Sequence, residues 1–406
     1  MDVRSRRMAV SLTGAIALAG CLVWWASRPG LTLDGTERQI DLGQYHSAEA
    51  QLRAYLGEHP GDETAVLLLA RVLVSRPEPD PEVALGLIER IRPSNPRQAA
   101  LARMIEGDAH FWAHRYGRAE AAWLEALQLD PKLPEVGWKL LNIYAAQGRA
   151  EDSKRLALGL FAVEPDERDR VQFLLQLIRH DAHPIEAGAA VHELEPVVRA
   201  DPSDFRSATA LGLALIRSGR AAAGLDLLRR SARAGEDREA WLAYLEGLAS
   251  VGEIDELAGA LDSLPRPLTG VAAFDAARGW LATQRGDSDA AALAYRRALE
   301  ACPHDPALAY RLKAALARAG RSDDLASLAP RLESIARFPD VARAFFDEAN
   351  ERPDLGLRTD PASFVRFAEA LRAVGRVEEA DAWASLARRP AKLSLQGPAD
   401  PRPSSW

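Results

Sequence analysis

Turn residues recur along this chain with a period of about 34 residues, and this repetition restricts the fold more than any other feature. Separations of 33, 34 and 34 residues lie between Gly219, Gly252, Gly286 and Gly320. Nearly the same spacing separates prolines that close helical stretches, at Pro131, Pro165, Pro202 and, about three periods later, Pro303. Two independent marks with one period predict an array of similar units that cover one another's apolar faces.

The best single unit runs from Ala100 to Leu133, and its pattern is that of a helix pair. Unit positions 8, 17, 20, 24, 27 and 32 hold Gly107, Tyr116, Ala119, Trp123, Ala126 and Pro131. This pattern resembles the tetratricopeptide repeat (TPR). The resemblance implies an all-α, TPR-type α-solenoid of antiparallel helix pairs, which spans residues 29–388 in about nine to ten degenerate units.

Three segments interrupt the period. The stretch from Arg76 to Pro81 carries three prolines and is predicted to be a loop, since proline lacks the amide donor of a helix. About three extra residues stand near 180–184, and the gap of 55 residues between Gly320 and Gly375 predicts an extra helix over 340–350 followed by a loop. Residues 389–406 contain proline, serine and glycine with little to bury, so we expect a disordered tail.

Residues 1–28 are predicted to be an export signal that tethers the chain to a membrane. Arg4, Arg6 and Arg7 precede nineteen uncharged residues over 8–26, and as a helix these would span roughly 28 Å. The cationic flank is expected to stay in the cytoplasm, which places the repeats outside it. Two mechanisms stay open: an uncleaved single-pass transmembrane anchor, or a lipoprotein signal in which Cys21 is lipidated. Arginine far outnumbers lysine and alanine is abundant, which indicates a GC-rich bacterial source.

Composition and motifs exclude several classes of function. With a formal charge of −7, the chain lacks the excess of basic residues that is typical of nucleic-acid-binding proteins. The same charge disfavours an RNA-reading helical repeat. No phosphate-binding loop, nucleophile elbow or helical zinc motif occurs in the sequence, so no cofactor is expected. Glycines such as Gly148, Gly219 and Gly320 precede arginine at the turns, which is typical of helix C-caps.

A few polar residues could form a metal or catalytic site, although their positions also suit a purely structural role. His110 and His114 are four residues apart and would share a helix face, but no third metal ligand accompanies them. His180, His183 and His192 lie with carboxylates in an irregular unit and could form a metal or acid–base site. Cys302 precedes a turn proline and is interpreted as a small core residue. The acidic pairs Asp323–Asp324 and Glu378–Glu379 begin second helices and are predicted to be solvated.

The resemblance to TPR proteins also implies a peptide-binding groove lined by the first helix of each pair. Family groove positions are held here by Phe111, Trp112, Trp138, Asn142, Trp280, Gln284, Tyr310 and Arg318. Trp138 stands where the subfamily that clamps a C-terminal carboxylate has lysine, which argues against that binding mode. Aromatic rings with scattered polar groups suit a protein or peptide partner.

The sequence therefore favours a non-catalytic, protein-binding scaffold that is membrane-tethered, faces the periplasm and acts in envelope assembly or secretion. The alternative is an enzyme or enzyme subunit with its site in the irregular segment around His180–His192 or in residues 325–361. Histidine and carboxylate side chains that converge in one cleft would favour the alternative.

Overall fold

The computed structural model describes residues 33–93, 95–183, 185–234, 237–350 and 361–388. Within these ranges the regular structure is helical and contains no strand. No helix in the same ranges is long and apolar enough to cross a bilayer. The predicted anchor over 8–26, with Cys21, and the predicted tail over 389–406 lie outside the described residues.

The described residues form two compact units. The first comprises residues 33–113 and 122–130, and the second comprises residues 114–121 and those from 131 onward. The first unit contains helices α1 (Leu33–Asp41), α2 (Tyr45–Glu58), α3 (Glu63–Ser75), α4 (Pro81–Ile88), α5 (Pro96–Trp112) and the second half of α6 (Tyr116–Leu129).

The second unit takes the start of α6 and the rest of the described chain. Its helices are α7 (Pro134–Ala146), α8 (Ala150–Val163), α9 (Glu167–Ala182), α10 (Ala187–Ala200), α11 (Phe205–Arg217), α12 (Ala221–Arg233), α13 (Arg238–Val251), α14 (Ile254–Asp262), α15 (Asp275–Gln284), α16 (Ser288–Ala301), α17 (Pro306–Arg318), α18 (Ser322–Asn350), α19 (Pro361–Ala373) and α20 (Val377–Ala387). Two short 3₁₀ turns, Arg266–Leu268 and Ala272–Phe274, precede α15.

Local sequence signals set the helix ends. Aspartates accept hydrogen bonds from backbone amides at several helix starts, as Asp287 does from Ala290 N at 2.9 Å and Asp204 from Ser207 N at 3.1 Å. The turn glycines have left-handed backbone conformations, with φ between 67° and 90° at Gly43, Gly148, Gly219, Gly252, Gly286, Gly320 and Gly375. As the sequence predicted, these glycines end helices, because residues with a Cβ rarely adopt this conformation. Gly252 is the C-cap of α13, and Gly148, Gly219, Gly286 and Gly320 directly follow the C-cap residue.

Small residues let the two helices of a pair approach closely at a fixed register. A Cβ added at Gly107 would lie 2.2 Å from the ring of Trp123, and one at Gly279 would lie 2.8 Å from the ring of Tyr295. The partner stands sixteen residues later in both cases, at positions 8 and 24 of the unit. This packing supports the TPR-like helical repeat fold with the register read from the sequence.

The segment between Gly320 and Gly375 differs from the prediction. A separate extra helix was expected over 340–350, whereas α18 runs without a break for 29 residues from Ser322 to Asn350. Pro330 and Pro339 lie inside it. Each proline removes one amide donor and crowds the carbonyl four residues before it, but an apolar stripe stays buried along the helix and stabilises it. The stripe consists of Leu332, Ile335, Phe338, Ala342 and Phe345.

The second unit contains a contact that a simple linear array lacks. Helix α9 packs against α18, and one continuous core holds Val171, Leu174 and Ile178 of α9 with Ile335 and Phe338 of α18. Arg343 Nε donates to Ala182 O at 3.2 Å, across 161 residues of sequence. In a linear array each unit contacts only its neighbours, so this contact closes the array on itself within the second unit.

Candidate functional site

A shallow hollow of about 340 Å³ opens on the second unit beside the C-terminal ends of α15 and α17. Its lining residues are Thr283, Gln284, Gly286, Ser288, Ala291, Ala315 and Arg318. Gln284 and Arg318 are 34 residues apart, so they occupy the same position in successive repeats. We call this feature the Gln284–Arg318 hollow; it brings together two of the residues predicted to line a groove.

The hollow combines a small apolar floor with available hydrogen-bonding groups. Ala291 and Ala315 are 1% and 3% exposed and form the floor. The side chains of Gln284, Ser288 and Arg318 make no hydrogen bond or ion pair with another described residue. An amide, a hydroxyl and a guanidinium can together donate to carbonyl or carboxylate oxygens.

Neighbouring polar groups are already occupied within the protein. The Thr283 hydroxyl donates to Gly279 O at 2.8 Å, and Asp287 accepts from Ala290 N at 2.9 Å as the N-cap of α16. Arg321 forms an ion pair with Asp324 at 2.6 Å. The guanidinium of Arg318 is thus available where that of nearby Arg321 is not.

Tyr310 lies on α17 eight residues before Arg318 and is 74% exposed, which is the largest exposure among the exposed large apolar and aromatic residues of the described chain. A spacing of eight residues corresponds to just over two helical turns, so Tyr310 and Arg318 lie on the same exposed side of α17. The phenol ring therefore extends the surface next to the hollow.

The predicted groove tryptophans of the second unit contribute to repeat packing. The ring of Trp138 stacks on Phe173, with centroids 4.5 Å apart, and packs on a core of α7, α8 and α9. Trp280 packs, partly buried, on the core that contains Trp241, Tyr244 and Phe274. Trp138 and Trp280 are therefore partly buried, whereas four other predicted groove residues are exposed: Asn142, Gln284, Tyr310 and Arg318.

Phe111 and Trp112 belong to the first unit. Their rings meet edge to face with centroids 5.8 Å apart, and Phe111 also lies 5.8 Å from Trp123. Both residues are partly buried in this aromatic cluster. The Gln284–Arg318 hollow contains neither of them.

The metal pair suggested by His110 and His114 does not form on one helix. Helix α5 ends at Trp112, and His114 stands in the following turn with φ of 57°. His114 occupies the turn position that Gly286 holds in the unit from Ala272, which explains its left-handed backbone. No group of three or more histidine, cysteine or acidic side chains within the described ranges could hold a metal ion.

The two irregular segments named for the enzyme alternative meet each other. His183 Nε2 lies 2.8 Å from Asp347 Oδ1, and its ring packs edge to face on Phe346 with centroids 5.4 Å apart. Both members of this pair are about half exposed. Asp181 is used by a different partner, Arg376. These groups join α9 to α18 and α20.

One carboxylate predicted to be solvated is buried. Glu379 is 3% exposed and pairs with Arg376, whose side chain is 8% exposed and lies over the ring of Phe338 at 5.2 Å. The prediction was wrong because Glu379 turns inward at the start of α20, where the guanidinium compensates its charge. Glu378 beside it stays exposed and lies 3.4 Å from Lys154 Nζ.

Cys302 is partly buried, as expected of a small core residue. Burial raises the pKa of its thiol, and the charge of Asp305 raises it further. A raised thiol pKa keeps the sulfur protonated at neutral pH, which is opposite to the activation that a nucleophilic cysteine needs.

No protein-family model matches the chain. One curated relative is similar over 152 residues at 30% identity: cellulose synthase operon protein C of Pseudomonas fluorescens (strain SBW25). The similarity covers 35% of this chain and spans only 12% of that protein.

Among solved structures, the chain is similar to the APC/C hetero-tetramer Cut9–Hcn1, with 14% identity and a TM-score of 0.32, over 87% of this chain and 79% of the other. It is also similar to a monomeric mutant of IFIT1 with Gppp-AAAA, with 14% identity and a TM-score of 0.36, over 80% and 89% of the two chains.

Proposed function

We propose that this chain is a non-catalytic scaffold that binds a protein partner through an extended segment seated on the Gln284–Arg318 hollow. The observation that carries the proposal is the meeting of two equivalent repeat positions at one open surface, where the side chains of Gln284, Ser288 and Arg318 have no partner among the described residues. An extended segment offers main-chain carbonyls along its length, and these match the donors of Gln284, Ser288 and Arg318.

The chemistry of the hollow favours binding over catalysis. Its polar side chains are an amide, two hydroxyls and a guanidinium, none of which exchanges protons readily near neutral pH. Proton transfer at a reacting group generally uses a histidine, carboxylate, lysine, tyrosine or cysteine, and the lining of the hollow contains none of these. The groups instead suit the recognition of carbonyl and carboxylate oxygens.

Selection of displayed random peptides on the full chain, purified in detergent, tests this function. A Gln284→Ala, Arg318→Ala double variant should bind a selected peptide at least about tenfold more weakly, which corresponds to about 1.4 kcal/mol of binding free energy. Arg297→Ala is the matched control, since Arg297 is an exposed arginine of α16 outside the hollow. Equal binding by both variants, or selection that yields no peptide, would contradict the proposal.

The proposal includes a membrane tether through residues 8–26, with the repeats on the periplasmic side of a bacterial membrane. The support is the sequence pattern of three arginines before an uncharged stretch of nineteen residues. Protease treatment of intact spheroplasts should digest the repeats if they face outward. Mass spectrometry of the membrane-extracted protein separates the two anchors: a chain that begins at a lipidated Cys21 indicates a lipoprotein, and a chain that keeps residues 1–20 indicates a transmembrane helix. Repeats protected from protease would overturn the orientation.

One relative bears on the biological setting of the partner. The relative with 30% identity is named for a cellulose synthase operon. We therefore propose that partners be sought first among proteins of polysaccharide synthesis and the cell envelope. A protein partner is favoured over a nucleic acid because the chain carries a net charge of −7.

A further inference from the structure

Helix α17 is basic in a chain that is acidic overall. The helix runs Pro306–Arg318 and contains Arg311, Lys313 and Arg318 without any acidic residue, whereas the whole chain has a net charge of −7. None of these three cations has an ion-pair partner among the described residues. Close by, Arg296 and Arg321 both pair with Asp324, at 3.2 Å and 2.6 Å.

Two of these cations lie beside each other on the helix surface. Arg311 and Arg318 are seven residues apart, which is close to two full turns, so they share one side of α17 about 10.5 Å apart along its axis. Arg318 lines the hollow together with Ala315, and Ala315 lies between the two arginines on that same side. The side of α17 that borders the hollow is therefore cationic along its length.

An aromatic ring and an apolar floor accompany the positive charge. Tyr310 is 74% exposed and adjoins Arg311 in sequence, while Ala315 is 3% exposed. The carboxylate of Asp287 also lies near the hollow, but its oxygen accepts the amide of Ala290 at 2.9 Å and so caps α16. Arg318 is exposed and Arg311 is partly buried, and neither has a carboxylate partner among the described residues. A second carboxylate beside the hollow, that of Asp289, lies 3.6 Å from Arg321.

We propose that the Gln284–Arg318 hollow and the adjoining side of α17 recognise an extended, internal acidic segment of a partner protein through its side-chain carboxylates. This inference rests on the proposed function and names the chemistry of the partner. Two cations about 10 Å apart match two carboxylates three residues apart in a polyproline II-like segment, which rises about 3.1 Å per residue. A single terminal carboxylate could reach only one of them, so the ligands of this site are side-chain carboxylates and no chain terminus is required.

The binding energy has two parts in this arrangement. The carboxylates form charge-assisted hydrogen bonds with Arg311 and Arg318. These bonds are stronger when both carboxylate oxygens accept from one guanidinium. Gln284 and Ser288 donate to main-chain carbonyls, and Tyr310 covers apolar atoms of the segment. Because Arg318 is exposed and Arg311 is only partly buried, the charge contribution is screened by salt and affinity depends on ionic strength.

Binding of defined peptides to the full chain in detergent tests the inference by fluorescence anisotropy. The probe has both ends blocked and two aspartates three residues apart, and the reference probe replaces both aspartates with asparagine. We expect the acidic probe to bind at least about tenfold more tightly. Its affinity should drop severalfold between about 50 mM and 500 mM salt. Equal affinity for the two probes, or affinity that salt does not change, would overturn the inference.

Charge reversal locates the interaction. An Arg311→Glu, Arg318→Glu variant should lose the acidic probe and gain a probe with two lysines at the same positions, whereas Arg297→Glu should behave as the unaltered chain. Loss of the acidic probe from Arg297→Glu as well would indicate attraction to general charge and overturn the site. Tighter binding of a single-stranded RNA of equal charge would overturn the choice of a protein partner.

The inference and the proposed function fail in different ways. Neutral peptides selected on the hollow, with no preference for the acidic probe, would leave the scaffold function in place and reject the acidic partner. Selection of no peptide, together with no binding of the acidic probe, would reject both.

Discussion

Arg376 forms an ion pair with Asp181, although 195 residues separate them in the sequence. The same guanidinium pairs with Glu379 and lies over the ring of Phe338. Arg376 thereby connects α9, α18 and the start of α20, where the array closes on itself. The pair of Arg376 with Glu379 is buried, with side chains 8% and 4% exposed, and Asp181 reaches it from the rim at 31%.

Removal of Arg376 is expected to destabilise the second unit strongly. An Arg376→Met variant leaves Glu379 buried without its counter-charge, which should lower the free energy of unfolding by about 3–5 kcal/mol. An Arg376→Met, Glu379→Leu double variant removes both buried charges and should recover a large part of that loss. Urea denaturation followed by circular dichroism measures both effects.

The control for this prediction is Arg331→Met on α18, where the arginine is exposed. Its free energy of unfolding should stay within about 0.5 kcal/mol of the unaltered chain. If Arg376→Met changed stability no more than Arg331→Met does, the closure at α9 and α20 would carry little of the stability.

His304 makes stability depend on pH. Burial lowers the pKa of its imidazole below 6.5, and the charge of Arg376 lowers it further. The unfolded chain therefore binds this proton first, so the contribution of His304 to stability is present above pH 6.5 and is lost as the pH falls below it. We expect a slope of at most about 1.4 kcal/mol per pH unit from this group.

The slope is measured from urea denaturation at several pH values below 7. A His304→Gln variant should reduce the slope by the share of this one group, since other groups titrate in the same range. An identical pH dependence in the variant would show that His304 is protonated equally in the folded and unfolded chains.

A substitution at Gly107 tests the register of the repeat. A Gly107→Ala change places a methyl group against the Trp123 ring, whose Nε1 donates to Asp108 Oδ1 at 3.0 Å and to Met104 O at 3.2 Å. The overpacked pair should lose about 1–3 kcal/mol of stability. Gly159→Ala on α8 is the control, because a Cβ there meets nothing within 4 Å and should stabilise the helix by up to about 1 kcal/mol. Thermal denaturation of both variants gives the comparison, and equal melting temperatures would contradict the register.

A substitution at His114 tests the backbone conformation of a turn, and here we expect a change to glycine to stabilise the protein. Its φ of 57° costs a residue with a Cβ about 1–2 kcal/mol, and glycine would relieve this while adding entropy to the unfolded chain. His114→Gly should therefore raise the free energy of unfolding by up to about 1 kcal/mol. Gly219→Ala, where φ is 86°, should lower it by about 1 kcal/mol. A destabilising His114→Gly would mean that the imidazole makes contacts worth more than the strain.

The repeat units were predictable because their causes are local. Gly107 and Trp123 lie sixteen residues apart and meet within one helix pair, and the turn glycines Gly219, Gly252 and Gly286 mark helix ends by their own conformational freedom. The sequence spacing also placed Gln284 and Arg318 at equivalent positions of successive repeats, and both line one hollow in the structure. Whether Trp138 and Trp280 line a groove or pack between repeats could not be decided from the sequence, because an aromatic residue on a helix suits either place.

The sequence by itself determined that the chain forms helix pairs, where those pairs turn and which small residues allow them to pack. Only the tertiary structure decided that α9 lies on α18, that Glu379 points inward and that Asp181 pairs with Arg376. The physical reason is distance along the chain: a helix end or a close helix contact depends on residues within one unit. The ion-pair partner of a charged residue depends instead on contacts between distant units. The rotation from each unit to the next adds up along the array and decides which units come together.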